Sequence, residues 1–469
     1  MEFYASFLTL IRYAVVMKKL LISFGFLVVL LITPMVNADD LLEIYQQALR
    51  SDPGIREAEA NREATLQSRP QARGFLLPQI NADASWSDQA TEGERTTTFG
   101  LDTRTTAIDS QMDGVRWGLQ LTQTLFRWDQ WVTLKKAGKQ VAQAEADYLT
   151  AQQDLIIRVA GSYFDVLAAK DTLKSEQAAK EAIARQLEQA KKRFEVGLIA
   201  ITDVQEAQSG YDQVVAAEIV AKRNLATRKE ILREIVGEYQ TDLIAPKAII
   251  PLVNPDPEDE DAWVETATRQ NPAVLSAELG AEIASDDKHI AKTGHYPTVD
   301  FTAGYRDTDF SGSTLTTTGK GPQGTDTEDT SIEVRVQVPI FSGGTTSARV
   351  REATYRQRAA RERFERTIRQ NERETRDAYL GVVSEIARVK ALKQALASAE
   401  TALQATEAGF DVGTRTTVDV LDARRQVFLA DVNYARSRYD YIVNILKLKQ
   451  AAGSLSIEDL KEINGWLEP

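Results

Sequence analysis

A segment of this chain returns about 216 residues further on, and that return constrains everything the chain can fold into. Arg193 to Gln205 (RFEVGLIAITDVQ) reappears as Gly409 to Leu421 (GFDVGTRTTVDVL), with Phe194/Phe410, Val196/Val412, Gly197/Gly413, Asp203/Asp419 and Val204/Val420 in register. Tyr163 and Tyr379 match at the same spacing. Nearer the start of each copy the spacing drifts to about 219, pairing Asp52-Pro53 with Asn271-Pro272 and Pro78 with Pro297. A 469-residue chain would ordinarily divide into two or three unlike domains; here one structure built from two related halves is expected.

Composition closes several routes. Asp and Glu number 68 against 56 Lys and Arg, which argues against a nucleic-acid partner. With no cysteine there is no disulfide framework, thiolate metal site or cysteine nucleophile. The two histidines, His289 and His295, lie near an expected helix end and read as ordinary surface or interface residues. No metal or cofactor site is expected. At the N-terminus, Lys18-Lys19, the apolar run Leu20 to Leu31 and Val36-Asn37-Ala38 have the form of a secretory signal cleaved after Ala38. Residues 1–38 are assigned to that signal, with Met17 as the start and residues 1–16 as an extension. No run of 18 apolar residues follows Ala38, so no transmembrane helix is expected.

Each half then reads as short helices, two strands and a long helical hairpin. Asp52 and Asn271 are good N-caps ahead of a proline at the first helical position. After Pro78 and Pro297 the pattern alternates by twos: Ile80, Ala82, Ala84 and Trp86, then Val299, Phe301, Ala303 and Tyr305. Val115, Trp117, Leu119 and Leu121, and Ile332, Val334, Val336, Val338 and Ile340, mark a second strand in each half. The strands are expected at 78–88, 114–126, 297–307 and 331–341, about ten residues each, the length that crosses a bilayer as a tilted strand. A soluble sheet with one wet face gives the same alternation. Gln89 to Asp113 and Thr308 to Thr330, rich in Thr, Gly and Asp, read as long polar loops.

Trp128 to Glu195 and Thr345 to Asp411 contain no proline and predict helices on the order of 100 Å long. Apolar residues recur at threes and fours along Tyr379, Val382, Ile386, Val389, Leu392, Leu396, Ala399, Leu403 and Phe410, echoed by Ile183, Leu187, Ala190 and Phe194. That is a coiled-coil seam. Gly197 and Gly413 suit the turn that ends each long helix, and capping boxes are expected at Thr202 to Gln205 and Thr416 to Asp419. The chain thus divides into a first repeat at 39–237 with its tip at 196–203, a connector at 238–261, a second repeat at 262–453 with its tip at 412–419, and a terminal segment at 454–469. Ala245 to Asp261, acidic and proline-rich, reads as exposed.

Four strands cannot close a membrane barrel, and open edges in lipid cost several kcal/mol for each unpaired group. Other copies must complete the sheet, to eight strands with two copies or twelve with three.

The two tips in register, the Asp-Pro and Asn-Pro helix starts, Leu77-Pro78 and Tyr296-Pro297 before the strands, Pro339 to Phe341 and the closing Ala435 to Leu455 together resemble the TolC-type outer-membrane efflux and secretion channel family. The resemblance runs from about Asp39 to Leu460. It implies a mixed α and β membrane protein: a homotrimer whose twelve strands form one β-barrel in the outer membrane, continuous with a long periplasmic α-helical barrel. It implies a belt at the waist, to which the connector and the terminal segment are assigned. It also implies a periplasmic adaptor and an inner-membrane pump as partners, with outer-membrane lipid around the barrel.

The resemblance assigns roles at the tips. Asp419 and Asp422, on one helix face, match positions that face the lumen at the constriction, where three copies would form two cation-attracting rings. From spacing alone they are equally helix-start carboxylates favoured by the macrodipole. Arg415 matches the gating arginine, Thr202 and Asp203 its partners on a neighbouring hairpin, and Gln186 with Glu407 a second constraint. Phe410 departs from the tyrosine that family members can carry, removing one closing hydroxyl. The function expected is a passive outer-membrane exit duct for efflux, type I protein secretion or both. The alternative is a periplasmic coiled-coil adaptor or scaffold. With no Ser/His/Asp set, metal cluster or phosphate-binding loop, an enzyme is not expected.

Overall fold

The computed structural model describes residues 40–468 apart from Thr241, Thr317 and Thr318, so the signal peptide and extension assigned to residues 1–38 lie outside the described residues. Short helices α1 (Leu41–Ser51), α2 (Pro53–Leu66) and α3 (Ser68–Gly74) lead into strands β1 (Gln79–Phe99) and β2 (Asp102–Phe126). Helix α4 (Trp128–Glu195) runs out to a tip and α5 (Ile201–Val236) returns. The second half repeats the order: α6 (Glu260–Gln270), α7 (Pro272–Thr293), β3 (Thr298–Thr316), β4 (Gly319–Gln337), α8 (Thr345–Asp411) and α9 (Thr417–Ala451), closed by α10 (Ile457–Asn464). Asp52 accepts from Ile55 N (2.8 Å) and Asn271 from Ala273 N (2.8 Å), as their positions before proline led us to expect.

The four strands form one antiparallel sheet in the order β1-β2-β3-β4. Directly paired residues share a face. The rows Ile80/Leu121/Ala303/Ile332, Ala82/Leu119/Tyr305 and Ala84/Trp117 therefore build one apolar face. The rows Asn81/Gln120/Gly304 and Asp83/Gly118/Arg306 build the opposite, polar one. Ile332 is 75% exposed and Ile80 69%, so nothing among the described residues covers the apolar face. Along the strands it spans about 20–25 Å, the height of a lipid-facing band. Trp86, Trp117 and Tyr305 border it at one end and Phe126, Trp128, Trp131 and Phe341 stand exposed at the other. Such aromatic girdles mark the two membrane surfaces.

The strands are about twice as long as expected, and the regions read as long polar loops are paired strand. β1 reaches Phe99 and β2 starts at Asp102, leaving a two-residue turn at Gly100, whose φ of +62° glycine accommodates. β3 and β4 likewise continue to Thr316 and from Gly319. Alternation marks a strand only where one face is apolar; beyond the band both faces are wet and the signal vanishes. Threonine, a good strand former, pairs with itself across the hairpin at Thr96–Thr105 (3.2 Å) and Thr98–Thr103 (3.4 Å). At its other end β4 stops at Gln337, so Val338 and Ile340 lie outside it.

The core sits at the waist, where helices of both hairpins meet. Tyr163, Phe164, Tyr441, Ile442 and Leu446 are fully buried there, with Phe164 stacked on Tyr439 at 5.7 Å. The connector, read as exposed, is in fact pinned: Tyr163 Oη donates to Ile244 O (2.7 Å), Val253 N donates to Tyr441 Oη (2.7 Å), and Leu243 and Ile250 enter the core. Lys247 N donates to Trp466 O and Glu468 N to Ala245 O, both at 2.9 Å, so the terminal segment pairs with the connector. Below the waist the seam is dry at Val382, Ile386 and Val389 and only half-buried from Leu392 to Leu403. Packing thins toward the tips, where motion costs least.

Candidate gate at the helical tips

The long helices end alike. Gly197 (φ +76°) donates to Phe194 O and Leu198 to Arg193 O, both at 2.9 Å. Gly413 (φ +79°) donates to Phe410 O (3.0 Å) and Thr414 to Gly409 O (2.8 Å). These paired bonds satisfy the last carbonyls, and the left-handed residue they need is glycine at both turns.

The return helices start differently. α9 opens with the expected reciprocal cap: Asp419 N donates to Thr416 Oγ1 (3.2 Å) and Thr416 N to Asp419 Oδ2 (2.8 Å). α5 does not use Thr202, which is exposed in its first turn. The cap position is Ala200, which has no side-chain acceptor, and Asp203 alone contributes by accepting from Ala200 N (3.2 Å). The repeat explains this: Asp203 matches Asp419, so Ala200 matches Thr416, and the box at Thr202 to Gln205 is out of register.

Asp419 and Asp422 lie one turn apart on α9. The Thr416 N–H, the Thr416 hydroxyl and the nearby Arg415 hold the Asp419 carboxyl below the usual carboxylate range. Asp422 is exposed and has no partner among the described residues. Arg415 is exposed, and its Cγ lies 2.8 Å from where a Cβ on Gly409 would stand. The repeat matches Gly409 with Arg193, so the bare position at 409 is what lets Arg415 fold over the end of α8. The Arg415 guanidinium bonds to neither Thr202 nor Asp203 of its own chain.

Gln186 and Glu407 are not brought together. Gln186, buried on α4, donates to Thr417 O (3.4 Å) across to the other hairpin, while its Oε1 has no partner among the described residues. Glu407 accepts from Arg424 Nε (3.1 Å) and Nη2 (2.7 Å), which binds α8 to α9 within one hairpin. Phe410 lies under the Arg193 guanidinium, 4.7 Å from carbon to ring centroid, a cation–π contact between the two hairpins. A second tie runs from Arg425 Nη2 to Gln213 Oε1 (2.8 Å). Arg193, Thr417 and Arg424 escaped the sequence reading; a basic residue in the last turn of a helix reads as a dipole neutraliser, not as a ring's partner. The tip carries exposed carboxylates and is held by a few weak polar contacts; among the described residues it offers no nucleophile beside a base.

A family described as "Outer membrane efflux protein" matches residues 44–238 and 263–454, both halves of the repeat. The chain is 37% identical over 456 residues to Outer membrane protein TolC of Vibrio cholerae serotype O1, covering 96% of this chain and 99% of that one. It is 27% identical over 433 residues to Alkaline protease secretion protein AprF of Pseudomonas aeruginosa, covering 90% and 86%. The fold is also that of the Campylobacter jejuni CmeC outer membrane channel, with a TM-score of 0.72 at 18% identity over 91% of this chain and 90% of that one. An uncovered apolar sheet face between aromatic girdles, two hairpins far longer than a bilayer is thick, and a match across both repeats agree: the chain belongs to the outer membrane efflux protein family and is an outer-membrane exit duct.

Proposed function

We propose that three copies of this chain close a twelve-stranded barrel continuous with a twelve-helix periplasmic tunnel, opened at its tips by an inner-membrane pump and a periplasmic adaptor. The observation that carries this reading is the four-stranded sheet with an apolar face and two unpaired outer edges, joined to helices of 68 and 67 residues. Such edges are untenable in hydrocarbon, and the longest way out of the problem is closure by further copies. The connector and the terminal segment form the belt at the waist. The duct is passive, since the chain carries no nucleotide-binding motif. The alkaline protease secretion relative supports protein export, the efflux family small toxic compounds. The native mass of the detergent-extracted protein tests the assembly: three copies are expected, and a monomer or any other oligomer contradicts it.

At the tip, Asp419 and Asp422 form two stacked carboxylate rings and Arg415 reaches Thr202 and Asp203 on a neighbouring hairpin. Gln186 and Glu407 act through their own chain, on Thr417 and Arg424. Phe410 keeps its latching role without the hydroxyl, through Arg193. A cation–π contact of this exposure contributes about 0.5–1 kcal/mol. Arg193→Gln and Phe410→Leu are therefore each expected to raise resting conductance in planar bilayers about two- to fivefold, with the double variant no leakier than either single. Additive increases would show that the two residues act separately.

A further inference from the structure

Helix α9 ends at Ala451 where α7 begins at Pro272, and Asn271 Nδ2 joins the two ends by donating to Ala451 O (2.9 Å). Beside this junction α4, α8 and α9 wall a polar cavity of about 560 Å³. Asp154, Glu374 and Asp377 stand exposed around its mouth, with Lys447 the one basic side chain that lines it among the described residues. Asn371 is set deeper, 7% exposed. Its Nδ2 donates to Ala451 O (3.1 Å), which fixes Oδ1 as the acceptor, and that buried oxygen has no donor among the described residues. The cavity opens away from the connector: Tyr441, whose hydroxyl meets Val253, and Gln450, which lines the cavity, lie nine residues or about two and a half turns apart on α9.

The first half fills the same junction differently. At the spacing of about 216, Asn371, Thr375 and Ala451 match Leu155, Val159 and Ile235, all three in the dry core of the waist. Apolar side chains therefore suit these positions, and an asparagine with an unanswered oxygen costs stability there. The charges are inverted as well. Glu374 matches Arg158 at about 216, and Asn271 matches Asp52 at about 219. In the first half Arg158 holds Asp52 (2.8 and 3.1 Å), so that junction carries its own cation. The second half has a carboxylate in the place of the guanidinium, and a further one, Asp377, where the first has Gly161. Arg373 reaches Asp377 (3.1 Å) and Glu374 (3.4 Å) along the surface of α8 and stays outside the cavity. Lys447 has no partner among the described residues.

We propose that this niche binds a short linear polyamine, with one ammonium held by Glu374 and Asp377 at the mouth and another nitrogen donating inward to Asn371 Oδ1. Three carboxylates against one lysine call for a cation, and the first half shows a cation in the matching place. A chain with N–H donors at both ends answers the exposed charges and the buried acceptor together, whereas a quaternary ammonium has no donor for Asn371. The site is complete within one chain and does not rest on the trimer reading. In the proposed trimer it faces the tunnel, about 60 Å along α8 from the tip.

Calorimetric titration of spermidine into the detergent-extracted full chain tests the site, in an Asp419→Asn/Asp422→Asn background so that the tip carboxylates contribute nothing. One spermidine per chain is expected. Adding Glu374→Gln with Asp377→Asn should weaken it at least about tenfold. Glu400→Gln with Asp431→Asn removes the same charge at two exposed positions away from the niche and should leave binding unchanged. Asn371→Leu, which places the first half's residue at the junction, should abolish binding without lowering the thermal midpoint; if that variant does not fold, the mouth pair still decides. The proposal is overturned by an absence of saturable binding, by binding that survives the mouth pair or a folded Asn371→Leu variant, or by a loss that the remote pair reproduces.

Discussion

Arg415→Ser is expected to leave the duct open at rest, raising its mean conductance in planar bilayers by on the order of tenfold or more. Among the described residues the Arg415 guanidinium makes no hydrogen bond or ion pair and acts only at a distance on Asp419, while its stem is seated over Gly409. In the proposed trimer its partners are Thr202 and Asp203 on a neighbouring hairpin. Surface ion pairs are individually modest, but in the proposed trimer three identical contacts would break together for the ring of tips to widen, so the loss of all three multiplies. Gly409→Ala is a second route to the same outcome, because a Cβ there displaces Arg415 without touching its charge. Resting conductance unchanged in both variants would show that Arg415 does not hold the entrance.

Removing the collar carboxylates is expected to have an effect as large. Asp419→Asn with Asp422→Asn should weaken block by a trivalent cation on the tip side at least about a hundredfold, since in the proposed trimer six charges would leave a narrow ring at once. The two positions are not equal. Asp419 Oδ2 already accepts from the Thr416 N–H and hydroxyl, whereas the Asp422 carboxylate has no partner among the described residues. Asp422→Asn alone should therefore remove more of the block than Asp419→Asn alone, and Asp419→Asn should also loosen the start of α9. The pH dependence follows from the direction of the Asp419 shift. Its folded-state pKa is depressed, so its charge and its cap persist as pH falls through the ordinary carboxylate range and are lost only below it. In the Asp422→Asn variant, where Asp419 is the carboxylate that remains, block that disappears at the ordinary carboxylate pKa contradicts the part assigned to Asp419, and block that survives the double substitution contradicts the collar.

Much of the fold was legible because the repeat reports every feature twice. The glycine turns, the proline-preceding caps at Asp52 and Asn271 and the extent of both long helices come from local chemistry that the residues carry themselves. The membrane-distal half of each strand was not legible, because Asp88, Glu92, Thr96 and their partners are wet on both faces and leave no period to read. Thr202 is a good capping side chain two residues out of register with the repeat, and the cap of α5 falls at Ala200, the position that matches Thr416. At the tip, one-dimensional spacing placed Asp419, Asp422 and Arg415 together on one hairpin. It could not show that Gln186 spends its amide on Thr417, that Glu407 is held by Arg424, or that Arg193 covers Phe410, since each pairing crosses between helices.

In the proposed trimer the tips of this chain form the cation-binding entrance of a continuous duct. Single-channel recording of the detergent-extracted wild-type protein, with and without a millimolar trivalent cation on the tip side, tests it most directly. Discrete, small, long-lived conductances that the cation closes from that side alone are predicted. An absence of channels, or channels indifferent to the cation, would contradict it.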